Sequence, residues 1–567
     1  MNLRAELEQR VSAALQASGV DAPAQVAPAA RPEFGDYQAN GIMGAAKRAG
    51  MKPRALAEAV VSAAQLDDLA SKVEIAGPGF INIHLRPDYL ASMLSSEQPL
   101  VEPTSTPDRV VIDYSSVNLA KEMHVGHLRS TIIGDALALL LEALGHEVIR
   151  QNHVGDWGTQ FGMLLAFLEE KGEDSEQLAD LEKFYVAAKK RFDQDADFAD
   201  RARSKVVLLQ GGDPDSKRLW QRFIAVSIAH CNEIYQRLGV TLRDEHIMPE
   251  SAYNADLSVV IEELRQQGLL SEDQGAQCVF LDAFKGRDDK PLPVIVQKSD
   301  GGYLYATTDL AALRYRVQKL GANRILVVVG AEQSLHFQQV FAVGRAAGYA
   351  DDETRLEHIT FGNMLGPDGK KFSTRAGGVM KLSDLLDEAE QRATGLVAEK
   401  NPDMDAAECR EVARVVGLGA LKYADLSKNR TSNYVFDWDQ MLSFEGNTAP
   451  YLQYAYTRIR SLLRRGGIDP DKLQGQPVLT EPAEVALALR LARLQEVLEQ
   501  AAADAMPSHL CTYLYELASA YMSFYEQCPV LSADAKVRDS RLLLCRRTMQ
   551  TLKQGLDVLG IETIERM

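Results

Sequence analysis

The chain predicts a multidomain α/β fold, and three observations in chain order carry that reading. An apolar strand at Arg109–Tyr114, a long amphipathic helix at Leu128–Leu144 and a second strand-like run at Glu147–Asn152 form a βαβ unit. That order implies a right-handed crossover and a parallel sheet. Apolar strands at Pro293–Gln297 and Arg324–Gly330 resume the pattern after charged helical material from about Leu164 to Arg243. Beyond Leu382 strand patterns nearly vanish and helical periodicity runs to the end.

Three domains follow. Residues 1–106 read as small α+β, residues 107–380 as an α/β domain with insertions at about 164–243 and 258–300, and residues 381–567 as an all-α bundle. In the first, helical patterns at Leu3–Ala17 and Pro53–Ala64 precede a strand-like alternation from Val73 to Leu85. Glu97–Pro107, rich in Pro, Ser and Thr, reads as a linker. Gly145 is placed to end the helix of the βαβ unit. In the bundle, Tyr451–Arg465 shows the helical repeat most clearly, behind Pro450 at a helix start.

With 567 residues the chain suffices for about three cores. Six scattered cysteines with no CxxC pair argue against a zinc site or a disulfide framework, and favour a reducing compartment. The first helix carries acidic residues, unlike a leader, and no apolar run reaches the roughly 18 residues of a membrane helix. The expectation is a cytoplasmic protein without membrane contact. The net charge of −17 disfavours nucleic acid at first sight. Its distribution removes the objection. Residues 1–106 carry 9 basic and 12 acidic groups and residues 441–567 carry 14 and 15, while Glu169–Asp200 alone contributes −6. The ends are near neutral, so a local basic face is possible there.

Two segments carry chemistry. His124-Val125-Gly126-His127 enters the long helix directly after the strand and its polar loop. Two imidazoles three residues apart share a face of the first turn, where free backbone N–H groups favour an anion such as phosphate. Gly126 lets a ligand approach the backbone. The second segment, Met364–Gly378, holds a turn at Pro367-Asp368-Gly369 followed by Lys370, Lys371, Phe372, Ser373 and Arg375 on a glycine-flanked loop. Mobile cations suit charge that develops during nucleotidyl transfer.

His124–His127 and Lys371–Arg375 (KFSTR), about 250 residues apart, resemble the HIGH and KMSKS motifs of class I aminoacyl-tRNA synthetases. The flanking text resembles the arginyl-tRNA synthetases: Tyr114–Asp135, Gly155–Gly162, Tyr305–Leu310, Val329–His336 and Asp425–Arg430. The resemblance covers essentially the whole chain. It implies a Rossmann-like catalytic domain and a C-terminal anticodon-binding bundle. It also implies ATP, with Mg2+, and no zinc or other protein-bound metal, and a monomer whose partners are arginine and its tRNA. Arginine would become arginyl-adenylate and then pass to the 2′-hydroxyl of the terminal adenosine. In this family activation itself generally needs bound tRNA.

The resemblance assigns His124, His127, Lys121 and Lys371 to catalysis, and Gly126, Lys370, Phe372, Ser373 and Arg375 with them to ATP. Thr374 replaces the second lysine of the KMSKS pattern, and the cation that stands in is open among Lys121, Lys370, Lys371 and Arg375. Asp113 and Asn118 would hold the α-amino and carboxylate end of arginine, and Tyr305, Asp309 and Gln333 its side chain. A carboxylate suits a guanidinium because the planar donors match it bidentately. Asp309 alternatively caps a helix Leu310–Leu320. Asp113, on an apolar strand, needs a partner if buried, and a substrate ammonium is the one expected. His336 would orient Gln333, and Trp157 would pack.

Phe80 and Asn82 match positions where the family stacks on and reads a D-loop base; periodicity alone makes Phe80 core and Asn82 exposed. Arg458, Arg460, Arg464 and Arg465 would follow phosphates, and Tyr451 and Tyr454 would stack on anticodon bases. The rival readings are a lysyl or cysteinyl enzyme, a small-molecule adenylating ligase, and a non-catalytic tRNA-binding protein. The missing cysteine cluster, the long helical C-terminus and the intact histidines and carboxylates respectively count against them. No editing domain is evident, and arginine offers enough polar handles to need none.

Overall fold

The computed structural model describes residues 2–172, 180–286, 289–370, 372 and 380–567. The chain forms two compact units. One comprises Met1–Pro103, Leu442–Val558 and Glu562–Met567, the other Thr104–Met441 and Leu559–Ile561. The switch to helical sequence near 381 therefore precedes the boundary between units. The helices Leu382–Lys400 and Ala406–Leu426 fold in the second unit.

In the first unit, the helix Leu3–Ala17 opens on Asn2, whose side chain accepts the Ala5 N–H, and buries Leu3, Leu7, Val11, Ala14 and Leu15 as one stripe. A four-stranded antiparallel sheet runs in the order Val26–Pro28, Tyr37–Ala39, Phe80–Leu85, Ala70–Ala76. The run expected as one alternation, Val73–Leu85, is thus a hairpin. Gly77 and Gly79, at φ +53° and +152°, make the reversal that a side chain would strain. The bundle comprises Ala449–Arg465, Pro482–Ala492, Leu494–Asp504, Pro507–Gln527 and Ala535–Val558. Thr448 caps the first of these, and Pro450 stands in its opening turn as expected. The sheet region and the bundle join through buried polar contacts. Tyr37 donates to Glu496 at 2.7 Å, Glu496 pairs with Arg493 at 3.0 Å, and Gln495 both accepts from and donates to the backbone of Glu102.

The second unit is built on a parallel sheet in the order Arg355–His358, Arg324–Val327, Arg109–Asp113, Glu147–Gln151. The edge strand Arg355–His358 escapes a hydrophobic reading because three of its four residues are charged or imidazole. Val294–Gln297, expected to continue the parallel pattern, instead pairs antiparallel with Ala276–Val279 in a separate three-stranded sheet. A short apolar strand does not declare its partner. The helix of the βαβ unit begins earlier than its apolar pattern, at Val125, and ends at Ala143 with Leu144 as C-cap and Gly145 beyond it at φ +85°. It lies so close to the strand that a Cβ on Gly134 would sit 2.2 Å from Tyr114. The described part of the first insertion is largely helical; Phe167 packs edge to face on Phe184 and Phe198, and Phe223 does so on Phe161 just before the insertion. Among the described residues no helix is long and apolar enough to cross a membrane. All six cysteines are free and buried.

One buried ion pair ties this helix to the helical segment. Arg129 meets Asp425 at 2.9 Å, and both side chains are almost wholly enclosed. Arg129 also donates to the carbonyls of Gly362 and Ser432 and lies over the Tyr434 ring. Replacing Asp425 by Ala leaves a buried guanidinium uncompensated, so Asp425→Ala should lose about 3–5 kcal/mol of stability in denaturant unfolding. The double change Arg129→Met, Asp425→Leu should lose clearly less. Equal losses would show that packing, not charge, holds this contact.

Candidate active site

The strand Arg109–Asp113 delivers its C-terminal carboxylate to a polar centre. Asp113 is almost fully buried and receives Arg316 Nη2 and Ser116 Oγ, each at 2.6 Å. Burial alone would raise its pKa, but Arg316, then His153 and Ser116, outweigh burial and hold the carboxyl below the usual range. The partner expected for Asp113 was a substrate ammonium; the partner present is Arg316. That residue also donates to Gln151 Oε1 at 2.6 Å, so one guanidinium ties two neighbouring strand ends together.

His124 is the N-cap of the long helix and His127 its third residue. Their rings stack with centroids 3.9 Å apart. His124 Nδ1 accepts the Gly126 N–H and His127 Nδ1 accepts the His124 N–H, each at 3.1 Å. Burial lowers the pKa of both, aided at His124 by Lys121, and takes His127 to about 3. Both rings are therefore neutral near pH 7, and each carries its proton on Nε2 as a donor. A Cβ on Gly126 would fall 2.8 Å from the His124 ring, so this glycine makes room for the capping imidazole itself.

The second motif starts at the expected turn: the Gly369 N–H reaches the Gly366 carbonyl, with Gly369 at φ +73°. Lys370 is exposed, and Phe372 packs edge-on against Phe436. Lys371, Ser373 and Arg375 lie outside the described residues. The chain after them returns to the first motif, where Val125 N–H binds the Met380 carbonyl and Leu382 N–H binds the Met123 carbonyl. Lys381, paired with Glu122 at 2.9 Å and Asp180 at 3.0 Å, sits in that junction. Lys121 points its ammonium at the Tyr185 ring, 4.2 Å away.

Near the start of the helix Tyr305–Gln318 the structure gathers carboxyl groups. Asp309 is inside this helix, not at its N-cap, which is Leu304. Its Oδ2 is 2.6 Å from His336 Nε2, and its Oδ1 is 3.8 Å from His153. His336 thus orients Asp309 and not Gln333 as expected. Glu250, which sequence reasoning missed, faces Asp309 and Asp156. Burial first, then these two carboxylates, push its carboxyl up to about 8. Tyr305 is 63% exposed beside Glu250. Gln333 is exposed before the helix Ser334–Ala346. Asn118 is also exposed; it accepts the Ala120 N–H and bridges to Gly155. Trp157 packs on Trp220. Nothing in the local sequence of Glu250 marks it, since only the fold brings residue 250 to residue 309.

The remaining expected residues lie in the other unit. Phe80 is partly exposed, whereas Asn82 is buried, reversing the periodicity reading of both. The Asn82 amide is engaged by Gln38 at 2.6 Å and by Glu74. On the helix Ala449–Arg465, Tyr454 is 39% exposed and Tyr451 partly so, its ring 5.7 Å from Tyr515. Arg458 lies over Tyr525 and approaches the Tyr454 hydroxyl, and Arg465 reaches Tyr525 as well. Arg464 is exposed. Arg460 is taken by Glu565 at 2.5 Å. Among the described residues no cluster of His, Cys, Asp and Glu has the makings of a metal site.

Three family models match the chain. They are the catalytic domain of class I (R) tRNA synthetases over residues 89–438, the DALR anticodon binding domain over 452–567, and the arginyl tRNA synthetase N terminal domain over 1–85. The arginine–tRNA ligase of Cellvibrio japonicus is 57% identical over 582 residues, and that of Marinomonas sp. 56% over 577, each covering 100% of both chains. Among solved structures, the Thermus thermophilus arginyl-tRNA synthetase superposes with a TM-score of 0.86 at 28% identity, covering 100% of both chains. The Plasmodium falciparum enzyme gives 0.86 at 29%, covering 100% of this chain and 99% of that one.

The imidazole geometry is checkable by nitrogen NMR. Both His124 and His127 should appear as the Nε2–H tautomer at pH 7, and His127 should stay neutral down to pH 5. An imidazolium signal from His127 at pH 6 would contradict the bonding described.

Proposed function

This chain belongs to the class I arginyl-tRNA synthetases, and from that premise we propose how its residues divide the work of an arginine–tRNA ligase (EC 6.1.1.19). The substrates are arginine, ATP and tRNA(Arg). The observation that carries the residue-level reading is the meeting of Glu250 and Asp309 beside Tyr305. Glu250 is influenced by burial and by other carboxylates, so the pocket calls for a cation. A guanidinium, with donors on several edges, can serve both carboxylates at once. Asn118 and Gln333 are at hand for the remaining polar groups of arginine. Asp113 acts on the substrate through Arg316 and Ser116, because its oxygens are already engaged.

ATP enters as its magnesium complex, with no zinc or other metal held by the protein. The arginine carboxylate attacks the α-phosphorus, pyrophosphate leaves, and the Nε2–H groups of His124 and His127 donate to phosphate oxygens as charge builds. Positioning suffices, since the carboxylate is already a nucleophile. Lys121, Lys370, Lys371 and Arg375 are the cations for the departing pyrophosphate, and Phe372 and Ser373 belong with them to the ATP site. The 2′-hydroxyl of the terminal adenosine then attacks the arginyl carbonyl and AMP leaves. Phe80 stacks on a D-loop base, with Asn82 fixed behind it as a support. Tyr451, Tyr454 and Arg458 form an aromatic and cationic strip for anticodon bases. The protein works as a monomer in the cytoplasm.

ATP–pyrophosphate exchange over the twenty amino acids, with and without tRNA, tests this reading. Exchange is expected with arginine only and only with tRNA; exchange with another amino acid overturns the pocket assignment. A second test concerns pH. Glu250, its carboxyl pushed up to about 8, is mostly neutral below that pH and must ionise to pair with the guanidinium. The KM for arginine should therefore fall as pH rises towards 8 and level off above it. Glu250→Gln should flatten this profile and raise KM about 10- to 100-fold at pH 8.5, the equivalent of roughly 1.4–3 kcal/mol. An unchanged profile would remove Glu250 from the arginine site.

A further inference from the structure

Between the strand Arg109–Asp113 and Asn118 the backbone takes a costly path. Ser115 and Ser116 lie at φ +68° and +47°, successive left-handed residues without a glycine. Such a conformation is disfavoured for a residue that carries a side chain and persists only where its surroundings enforce it. Four elements supply the enforcement. Ser115 N–H donates to Ser130 Oγ at 3.0 Å, and Ser116 N–H donates to Asn152 Oδ1 at 3.0 Å. Ser116 Oγ donates to Asp113. The fourth is Tyr235, near the end of the inserted helix Pro214–Leu238, only 3% exposed. Its hydroxyl accepts from Asn152 Nδ2 at 3.0 Å and lies 2.8 Å from Ser115 Oγ. A ring of bonds thus closes over both strained residues: Ser116 to Asn152, Asn152 to Tyr235, Tyr235 to Ser115.

The same ring touches both halves of the site. Thr131 Oγ1 bonds Ser115 Oγ at 2.9 Å and the His127 carbonyl at 2.8 Å, which leads to the histidine pair. Asn152 precedes His153, which faces Asp309. Downstream of the turn, Val117 and Leu119 bond Gly155 and set Asn118 beside it. We propose that Tyr235, contributed by the insertion, is a positioning residue for arginine activation. Its hydroxyl holds the Ser115–Ser116 turn, and with it Asn118, in register with the histidine pair and the carboxylate pocket. This rests on the functional reading above only for the identity of the reaction.

The test uses tRNA-dependent exchange with the full-length protein, resolving kcat and KM for arginine and for ATP. Tyr235→Phe keeps the ring packing and removes the hydroxyl. Expected is a drop of about tenfold in kcat/KM for arginine, carried in part by kcat, with KM for ATP within twofold of wild type. Ser115→Ala, also the fallback should Tyr235→Phe not fold, should give a similar loss. The double variant should lose clearly less than the product of the two single losses, because both substitutions remove the Tyr235–Ser115 bond. Wild-type kinetics in folded Tyr235→Phe, or losses that multiply in the double variant, would overturn the proposal. So would a loss that only tracks the folded fraction and spares kcat per folded molecule. A wild-type protein that fails to exchange with arginine sinks the functional reading instead, which keeps the two failures apart.

Discussion

The second unit is organised around one buried ion pair, Asp113 with Arg316. Enclosing two charges costs several kcal/mol, and their attraction offsets that cost only if every remaining lone pair and N–H is also matched. Here the match is met from three directions. Asp113 closes the end of the first strand and receives Ser116 from the turn, while Arg316 reaches across to Gln151 at the end of the neighbouring strand. Arg316 stands on the same helix as Tyr305 and Asp309. The pair therefore fixes where the carboxylate pocket lies relative to the strand ends. Loosening it would move Tyr305 and Asp309 without touching either of them.

From that anchor the two halves of the site follow by local rules. The chain leaves Asp113 through a left-handed turn and enters the helix at His124, whose ring doubles as the cap. A cap is normally Ser, Thr, Asp or Asn because a short side-chain oxygen reaches the second or third N–H. Histidine does so here with Nδ1, and the arrangement is spatially demanding enough that Gly126 cannot carry a Cβ. The capping bond and the chemistry share one side chain. Nδ1 is spent on the backbone, which selects the tautomer that leaves Nε2–H free to donate.

What was legible in the sequence is what depends on neighbours in the chain. The helix Leu3–Ala17, the turn at Pro367–Gly369, the strand–helix–strand order and the histidine pair all declare themselves within a few residues. What depends on distant partners did not. Val294–Gln297 has the composition of a parallel strand, yet pairs antiparallel with Ala276–Val279, because apolar content does not encode direction. Arg355–His358 is a sheet edge dressed in polar residues. Asn82 is buried because Gln38 and Glu74 are there to receive it. Asp113 was correctly read as needing a partner, but Arg316 is 203 residues away. Glu250 carries no local mark at all.

Selectivity and the inserted helices are linked by the same logic. On the proposed reading Glu250, kept neutral by burial first and then by Asp309 and Asp156, discriminates by what is lost with the wrong ligand. A neutral isostere, on the same reading, leaves Glu250 without a cation and Asp309 with its histidine partners alone, a heavier penalty than a missing methylene. The insertion between residues 164 and 243 is free to serve that site structurally. Its phenylalanine rings pack on one another, and Tyr235 bonds the turn that precedes Asn118. The strain in Ser115 and Ser116 is the physical reason for such a brace: a backbone that would relax in isolation is held open by groups from four elements at once.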